Sequence, residues 1–323
     1  MSTYVTAVVI NYNGKQVIQA CLQSVLQQRR PFNEVFVVDN ASTDGSQDLI
    51  RDSFPQVHLI ESARNEGFAA ACNRGIKDSK GDLVAILNND ITLDPDWLDH
   101  LLKYNHPPWS FFASRILLEA DPERLDSAGD GMAVIGSAYK IGHGAPARLF
   151  HQRREVFGPS GAAALYHRHL LEATGGFDED FFLIYEDADL NMRARLLGFR
   201  CLYVPEAVVR HKVNLNIGTF SHQYVFYGHR NSEYVFWKNM PGLLLLLYLP
   251  ERILFNLLCL IYFSRLGRGK SFLQAKVDFL RNSRKVFSKR RKIQAERQVA
   301  WHDFRRALDR NWFRYRWKKR TAP

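Results

Sequence analysis

A chain of 323 residues with 46% hydrophobic content is long enough for one large or two smaller domains with a full core. Its four cysteines, Cys21, Cys72, Cys201 and Cys259, are scattered with no CxxC pair, which argues against a zinc knuckle or a disulfide framework and fits a reducing compartment. The formal charge of +11 is uneven: residues 265–320 hold 20 Lys and Arg against 4 Asp and Glu, while the remainder holds 24 against 29. A mildly acidic body thus carries a basic tail suited to an anionic partner, either a membrane surface or nucleic acid.

The amino terminus enters an apolar strand at once, without a basic n-region or a small-residue cleavage site, so the expected location is cytoplasmic. Residues 6–10 (TAVVI) read as a buried strand, Asn11-Tyr12-Asn13-Gly14 as the loop after it, and residues 17–27 as a helix with apolar residues at helical spacing. A second strand, 35–38, runs into Asp39-Asn40-Ala41-Ser42-Thr43-Asp44-Gly45, where Ser42 can cap a helix starting near Ser46. A short strand at 57–61, the turn Asn65-Glu66-Gly67-Phe68 and a helix over 69–76 repeat the unit. Alternating units of this length predict an α/β fold with a mostly parallel sheet and right-handed crossovers. No GxGxxG follows the first strand and no GxxxxGK[ST] occurs anywhere, so neither a dinucleotide fingerprint nor a P-loop is supported.

Residues 83–90, LVAILNND, form an apolar strand that ends in Asn88, Asn89 and Asp90. Open parallel sheets bind ligands beyond the carboxyl ends of their strands, so these side chains stand where a metal or a phosphate is held; ordinary turn chemistry is the bland alternative. Asp39 ends its own strand at the same edge. After a helix opening at Asp94-Pro95-Asp96-Trp97, residues 121–147 are Gly-rich with little periodicity and read as an insertion or lid. Small residues in FGPSGAAALY (157–166) permit close backbone approach, and Tyr185-Glu186-Asp187-Ala188-Asp189 puts carboxylates at a helix start, where the dipole favours negative charge. Strand-like residues 201–204 and 207–209 deliver Arg210-His211 to the ligand edge.

Taken in order, VVINYNG (8–14), VVDNASTDGS (37–46), NEGFAAACNRGI (65–76), LNND (87–90), GPSGAAALYHR (158–168), GGFDEDFFLIYEDADLNMRARLLG (175–198) and VVRH (208–211) resemble the family-2 glycosyltransferases, inverting enzymes of the GT-A fold, and their wording is closest to the rhamnosyltransferase-like branch. The resemblance implies a GT-A domain over 1–240, with a nucleotide-binding half to about residue 110 and an acceptor-binding half beyond it. It implies transfer from dTDP-rhamnose or a UDP-sugar to a saccharide or lipid-linked acceptor in surface polysaccharide synthesis. It assigns Asp187 as general base, with Glu186 orienting the acceptor or the base, and Asp90 with His211 as ligands of a divalent cation, Mg²⁺ or Mn²⁺. Asn11, Asn13, Asp39, Asn65, Gly67, Arg74 and Asn88 become the donor contacts, and Gly161, Ala162 and Glu186 the acceptor contacts. Two departures stand out. Asn88 replaces the first Asp of the DxD motif, and Cys72 stands where some relatives have a nearby Arg, leaving Arg74 to reach the diphosphate.

Residues 241–323 read as an apolar, then basic, helical extension. Residues 243–249 and 253–263 are apolar, but Pro250-Glu251-Arg252 divides them into pieces shorter than a span, so interfacial attachment to an anionic membrane face is expected. The competing readings are nucleic-acid binding through Trp301, Trp312, Phe313, Tyr315 and Trp317 among the basic residues, and a catalytically silent sugar-binding scaffold.

Overall fold

The computed structural model describes residues 3–213 and 220–313. Tyr315 and Trp317 of the basic aromatic tail lie outside them. The chain divides into two compact units: residues 1–130, 140–194 and 199–214 form the first, and residues 131–139, 195–198 and 215–323 the second.

The first unit opens with β1 (Val5–Asn11), α1 (Ile18–Leu26), β2 (Glu34–Asp39), α2 (Ser46–Ser53), β3 (His58–Glu61), α3 (Phe68–Asp78) and β4 (Leu83–Asn88). β5 (Ile91–Leu93), α4 (Trp97–Leu102), β6 (Trp109–Leu118) and β7 (Asp121–Ser127) follow, then a hairpin of β8 (Asp130–Met132) and β9 (Ala138–Lys140), whose residues 131–139 belong to the second unit. β10 (Arg154–Val156), β11 (Ala163–His167), α5 (Arg168–Thr174), α6 (Glu186–Leu196) and β12 (Arg200–His211) complete it.

The main sheet runs β10-β12-β6-β11-β4-β1-β2-β3, with β5 on β12 and β7 on β6. It is mixed. β3, β2, β1 and β4 are parallel, as the alternating units predict, whereas β11 is antiparallel to both β4 and β6, and β12 is parallel to β6. Two reversals restore the original direction, so β12 points the same way as β4 and ends at the same edge. β11 runs the other way and begins there.

Both faces of the central strands are covered, which is why they read as continuous apolar runs. Val5, Ala7 and Val9 of β1 and Leu83, Ala85 and Leu87 of β4 pack on one side with Ile18, Leu22 and Trp97. The alternate residues Val8, Ile10, Val84 and Ile86 pack on the other with Ala71, Cys72 and Leu190. All four cysteines are buried free thiols. The stretch read as an insertion or lid instead supplies β7 to the main sheet and the β8–β9 hairpin, and residues 125–137 are buried. β12 is one strand, not two: a register shift between Val204 and Val208 accommodates Pro205.

The second unit is helical: α7 (His222–Asn239), α8 (Gly242–Arg265), α9 (Gly269–Arg281), α10 (Ser283–Glu296) and α11 (Trp301–Arg306). Pro250 does not divide α8, a continuous helix of 24 residues. A proline removes one N–H and frees the carbonyl four residues back. Here that is Leu246, which is 67% exposed, so the interruption falls on the outer face. On the inner face Arg252 is buried; its Nη2 lies 2.7 Å from Glu233 Oε1 of α7, and its Nη1 donates to the Ile135 carbonyl (2.7 Å) and to Ser232 Oγ (2.9 Å).

Candidate active site

Strand register assembles the polar edge. Asn11 pairs with Asp39 across β1 and β2, and Asn88 follows one residue beyond the β1–β4 pairing of Val9 with Leu87. The Asn88 N–H donates to the Ala162 carbonyl (2.9 Å), just ahead of β11. His211 pairs with Ile91 across β12 and β5, which brings it against Asp90.

On the β1–β2 side the polar groups satisfy one another. Asn11 is fully buried; its Nδ2 donates to Asp39 Oδ1 (2.7 Å) and Ser46 Oγ (2.9 Å), and its Oδ1 accepts from Asn89 Nδ2 (2.8 Å). Asp39, also fully buried, accepts from Ser42 Oγ and Asn11 on Oδ1, and from the Ser42 N–H and Gln47 Nε2 on Oδ2. Both Asp39 oxygens are thus engaged by donors of the chain itself, which shape the loop at the carboxyl end of β2. Asn13 is exposed at φ 48° and accepts the Thr43 N–H (2.8 Å). Asn65 Oδ1 accepts from Asn40 Nδ2 and from the Gly67 N–H. Arg74 is half exposed and donates to Glu66 Oε2 and Ser62 Oγ, both 2.9 Å, so its guanidinium is turned to these neighbours.

The β4–β12 side is different. His211 Nε2 lies 3.2 Å from Asp90 Oδ1, with both side chains nearly buried. The other ring nitrogen, Nδ1, lies 2.9 Å from Oδ2 of Asp126, a fully buried residue of β7. Lys140 Nζ donates to both Asp126 oxygens (2.8 and 2.7 Å), and His143 Nδ1 lies 3.1 Å from Oδ1. Burial alone would raise the Asp126 carboxyl; hydrogen bonds from His143 and His211 and the Lys140 charge outweigh it and hold Asp126 well below the usual carboxylate range. Burial alone would lower His211, yet Asp126 and Asp90 lift it to about 9. Sequence reading missed Asp126. The one signal is a carboxylate among small residues in DSAGDG.

Asn88 Oδ1 is buried with no hydrogen-bond partner among the described residues. A buried acceptor is rarely left so. Asp90 and His211 offer a carboxylate oxygen and an imidazole nitrogen in contact, and Asn88, two residues before Asp90, a neutral oxygen, donor types that fit Mn²⁺ or Mg²⁺. Among the described residues no group of three or more His, Cys, Asp or Glu side chains could hold a metal by itself.

Glu186 and Asp187 open α6 after a strained approach, for Phe182, Ile184 and Tyr185 all have φ between 56° and 75°. Gly67 presses on that segment: a Cβ there would come within 2.4 Å of the Phe182 carbonyl. Asp187 Oδ2 accepts the Gly161 N–H (2.8 Å) and Oδ1 its own helix's Ala188 N–H (2.7 Å). A side chain at Gly161 would crowd Asp187 at 3.1 Å. Glu186 is buried with Oε2 unpartnered among the described residues; burial first, and Asp187 second, push its carboxyl up to about 8. Burial raises Asp187 as well, against the pull of the Gly161 and Ala188 N–H groups. Gly161-Ala162 joins this pair to Asn88, and so to Asp90 and His211.

The profile for Glycosyl transferase family 2 matches residues 6–175, and that for Glycosyl transferase family group 2 matches residues 134–275. A relative from Mycobacterium tuberculosis, N-acetylglucosaminyl-diphospho-decaprenol L-rhamnosyltransferase, is 28% identical over 261 residues, covering 73% of this chain and 84% of its own. Succinoglycan biosynthesis protein ExoO of Rhizobium meliloti is 37% identical over 131 residues, 40% of this chain and 32% of its own. The mannosyltransferase PcManGT of Pyrobaculum calidifontis, solved with GDP-Man and Mn²⁺, superposes with a TM-score of 0.55 at 20% identity over 88% of this chain and 76% of its own, a likeness of fold. With a family match over more than half its length, the chain belongs to glycosyl transferase family 2.

Proposed function

We propose that the chain transfers a sugar from dTDP-rhamnose or a UDP-sugar to a saccharide or lipid-linked saccharide acceptor, with inversion, in cell-surface polysaccharide synthesis. The observation that carries this reading is the junction, through Gly161-Ala162 at one sheet edge, of Asn88/Asp90/His211 with Glu186/Asp187, each set holding one buried oxygen without a partner among the described residues, Asn88 Oδ1 and Glu186 Oε2. The M. tuberculosis and R. meliloti relatives, whose names specify a rhamnosyltransferase with a diphospho-decaprenol acceptor and succinoglycan biosynthesis, support the substrate class.

In this reading Asp187 takes the proton from the acceptor hydroxyl as the new glycosidic bond forms opposite the departing nucleoside diphosphate. Its raised pKa makes it a stronger base than an exposed carboxylate. Glu186 holds the acceptor, with Gly161 and Ala162 lining its approach. Asp90 and His211, with Asn88, would hold a divalent cation, which would stabilise charge on the leaving diphosphate. Asn11, Asp39, Asn65 and Gly67 fix the loops that receive the nucleotide, with Asn13 exposed towards it; Arg74 reaches a phosphate only by leaving Glu66. Purified protein incubated with labelled donors and Mn²⁺ tests the reading. Transfer or slow donor hydrolysis that EDTA abolishes is expected, and the absence of both with every donor would refute it.

We further propose peripheral attachment to the inner membrane face. α8 is the one helix among the described residues long and apolar enough to cross a bilayer. Its centre, however, is fastened by the buried Arg252–Glu233 pair, whose loss of one partner typically costs about 3–5 kcal/mol. Its outer face shows Leu243, Leu246, Leu247, Ile253, Leu254, Leu257 and Ile261, each at least half exposed. The exposed stripe of α9, Lys270-Leu273-Val277-Leu280-Arg281, mixes apolar and basic side chains, and residues 265–297 carry twelve Lys and Arg against two Asp and Glu. That combination suits a helix lying in the headgroup plane, each nearby Lys or Arg adding about 1 kcal/mol with anionic lipid. Full-length protein is expected to float with vesicles containing phosphatidylglycerol at low salt and to stay down after Leu246→Glu/Leu257→Glu. Flotation unchanged by that substitution, or none at all, would contradict it; a dimer broken by the same substitution would mark the face as a contact between copies.

A further inference from the structure

We infer that Asp126 is the positioning residue that prepares His211 for the divalent cation, an inference that rests on the metal-site reading above. The geometry specifies the role. Asp126 is fully buried, and its Oδ2 sits 2.9 Å from His211 Nδ1, so the ring nitrogen that faces it must carry a proton for a hydrogen bond to form. In the neutral ring the other nitrogen, Nε2, then carries the lone pair, and Nε2 is the atom that lies 3.2 Å from Asp90 Oδ1. An imidazole nitrogen can bind a metal only through that lone pair, and a carboxylate on the far nitrogen fixes both tautomer and ring plane.

Asp126 is itself held rigidly. Lys140 Nζ donates to both of its oxygens, and His143 Nδ1 lies 3.1 Å from Oδ1 and 3.0 Å from the Asp126 carbonyl. The backbone agrees, since β7 pairs with β6 and β6 with β12, the strand that ends in His211. The stretch Asp126–His143 thus contributes a carboxylate with two cationic or imidazole braces behind a ligand supplied by another strand. Lys140 and His143 already reach both Asp126 oxygens between them, and the further contact goes to the His211 ring nitrogen that does not face Asp90.

The test is Mn²⁺ binding to the full chain without nucleotide, by isothermal titration, for wild type, Asp126→Asn, His211→Ala and the double variant. Asp126→Asn is expected to weaken Mn²⁺ roughly 10-fold or more, the usual scale for loss of such a partner, and to add little in the His211→Ala background. If His211→Ala leaves Mn²⁺ affinity unchanged, the metal-site reading fails and takes this inference with it. If His211→Ala weakens binding but Asp126→Asn does not, or if the two losses simply add, the metal-site reading stands and the Asp126 role is overturned. Should Asp126→Asn fold poorly, ¹⁵N-histidine spectra of the wild-type chain with Mg²⁺ decide, the His211 signals being those missing from His211→Ala. With Mg²⁺ bound, a proton on Nδ1 and none on Nε2 is expected, and the reverse tautomer, a proton on Nε2 with none on Nδ1, overturns the inference.

Discussion

The two halves of the polar edge differ in how far the protein satisfies them. Around β1 and β2, Asn11, Asp39, Ser42, Ser46 and Asn89 spend their donors and acceptors on one another, and the result is a rigid floor. Around β4, α6 and β12, Asn88 Oδ1 and Glu186 Oε2 are buried without partners among the described residues, and burial lifts the Glu186/Asp187 carboxyls. A buried polar group left unpaired costs about 1–3 kcal/mol, so a fold retains several together where a ligand completes them. On the proposed function, the contrast separates residues that shape the site from residues that act in it.

The largest effect expected from breaking that division is at Asp187. Asp187→Asn keeps the side chain's shape and loses the proton acceptor, so kcat should fall about 10²-fold or more while nucleotide-sugar affinity changes little, as steady-state kinetics beside a binding titration would reveal. A variant turning over near the wild-type rate would move the base elsewhere, with Glu186 the nearest alternative. On the satisfied side, Asn11→Ala strips partners from Asp39, Ser46 and Asn89 at once. Denaturant unfolding should show a loss of about 1–3 kcal/mol, with kcat falling far less than in Asp187→Asn.

A smaller effect sharpens the comparison through pH. Glu186 in the folded chain is lifted to about 8, above its unfolded value, so the folded state binds the extra proton between roughly pH 4.3 and that value. Stability from this group is present below that window and falls as pH rises through it, the reverse of an ion-paired carboxylate. Glu186→Gln should therefore flatten the decline of Tm between about pH 5 and 8, and a slope identical to wild type would show that Glu186 is not held protonated.

Much of the active half was legible in the sequence because buried strands that stop abruptly in polar residues advertise the edge where they stop. Asn88 and Asp90 stand at the ligand edge by that pattern, as Asp39 does on β2, whereas Asn11 and the ED pair enter through the family resemblance. What the sequence could not convey was saturation. Nothing linear shows Ser42, Gln47 and Asn89 folding back on Asn11 and Asp39. Asp126 escaped for another reason: β7 reads DPERLDS, exposed and charged at its start, with no alternation to mark a strand, and its burial comes from pairing with β6. Pro250 misled in the opposite direction, since a proline on an exposed helix face need not end the helix.

The central claim is that Asn88, Asp90 and His211 are a metal site that makes donor binding possible. Titrating dTDP and UDP into the metal-free full chain, with and without Mn²⁺, tests it most directly. Binding by at least one nucleotide that requires Mn²⁺ and is lost in both Asp90→Ala and His211→Ala is the predicted result; tight nucleotide binding that persists in EDTA and in both variants would contradict it.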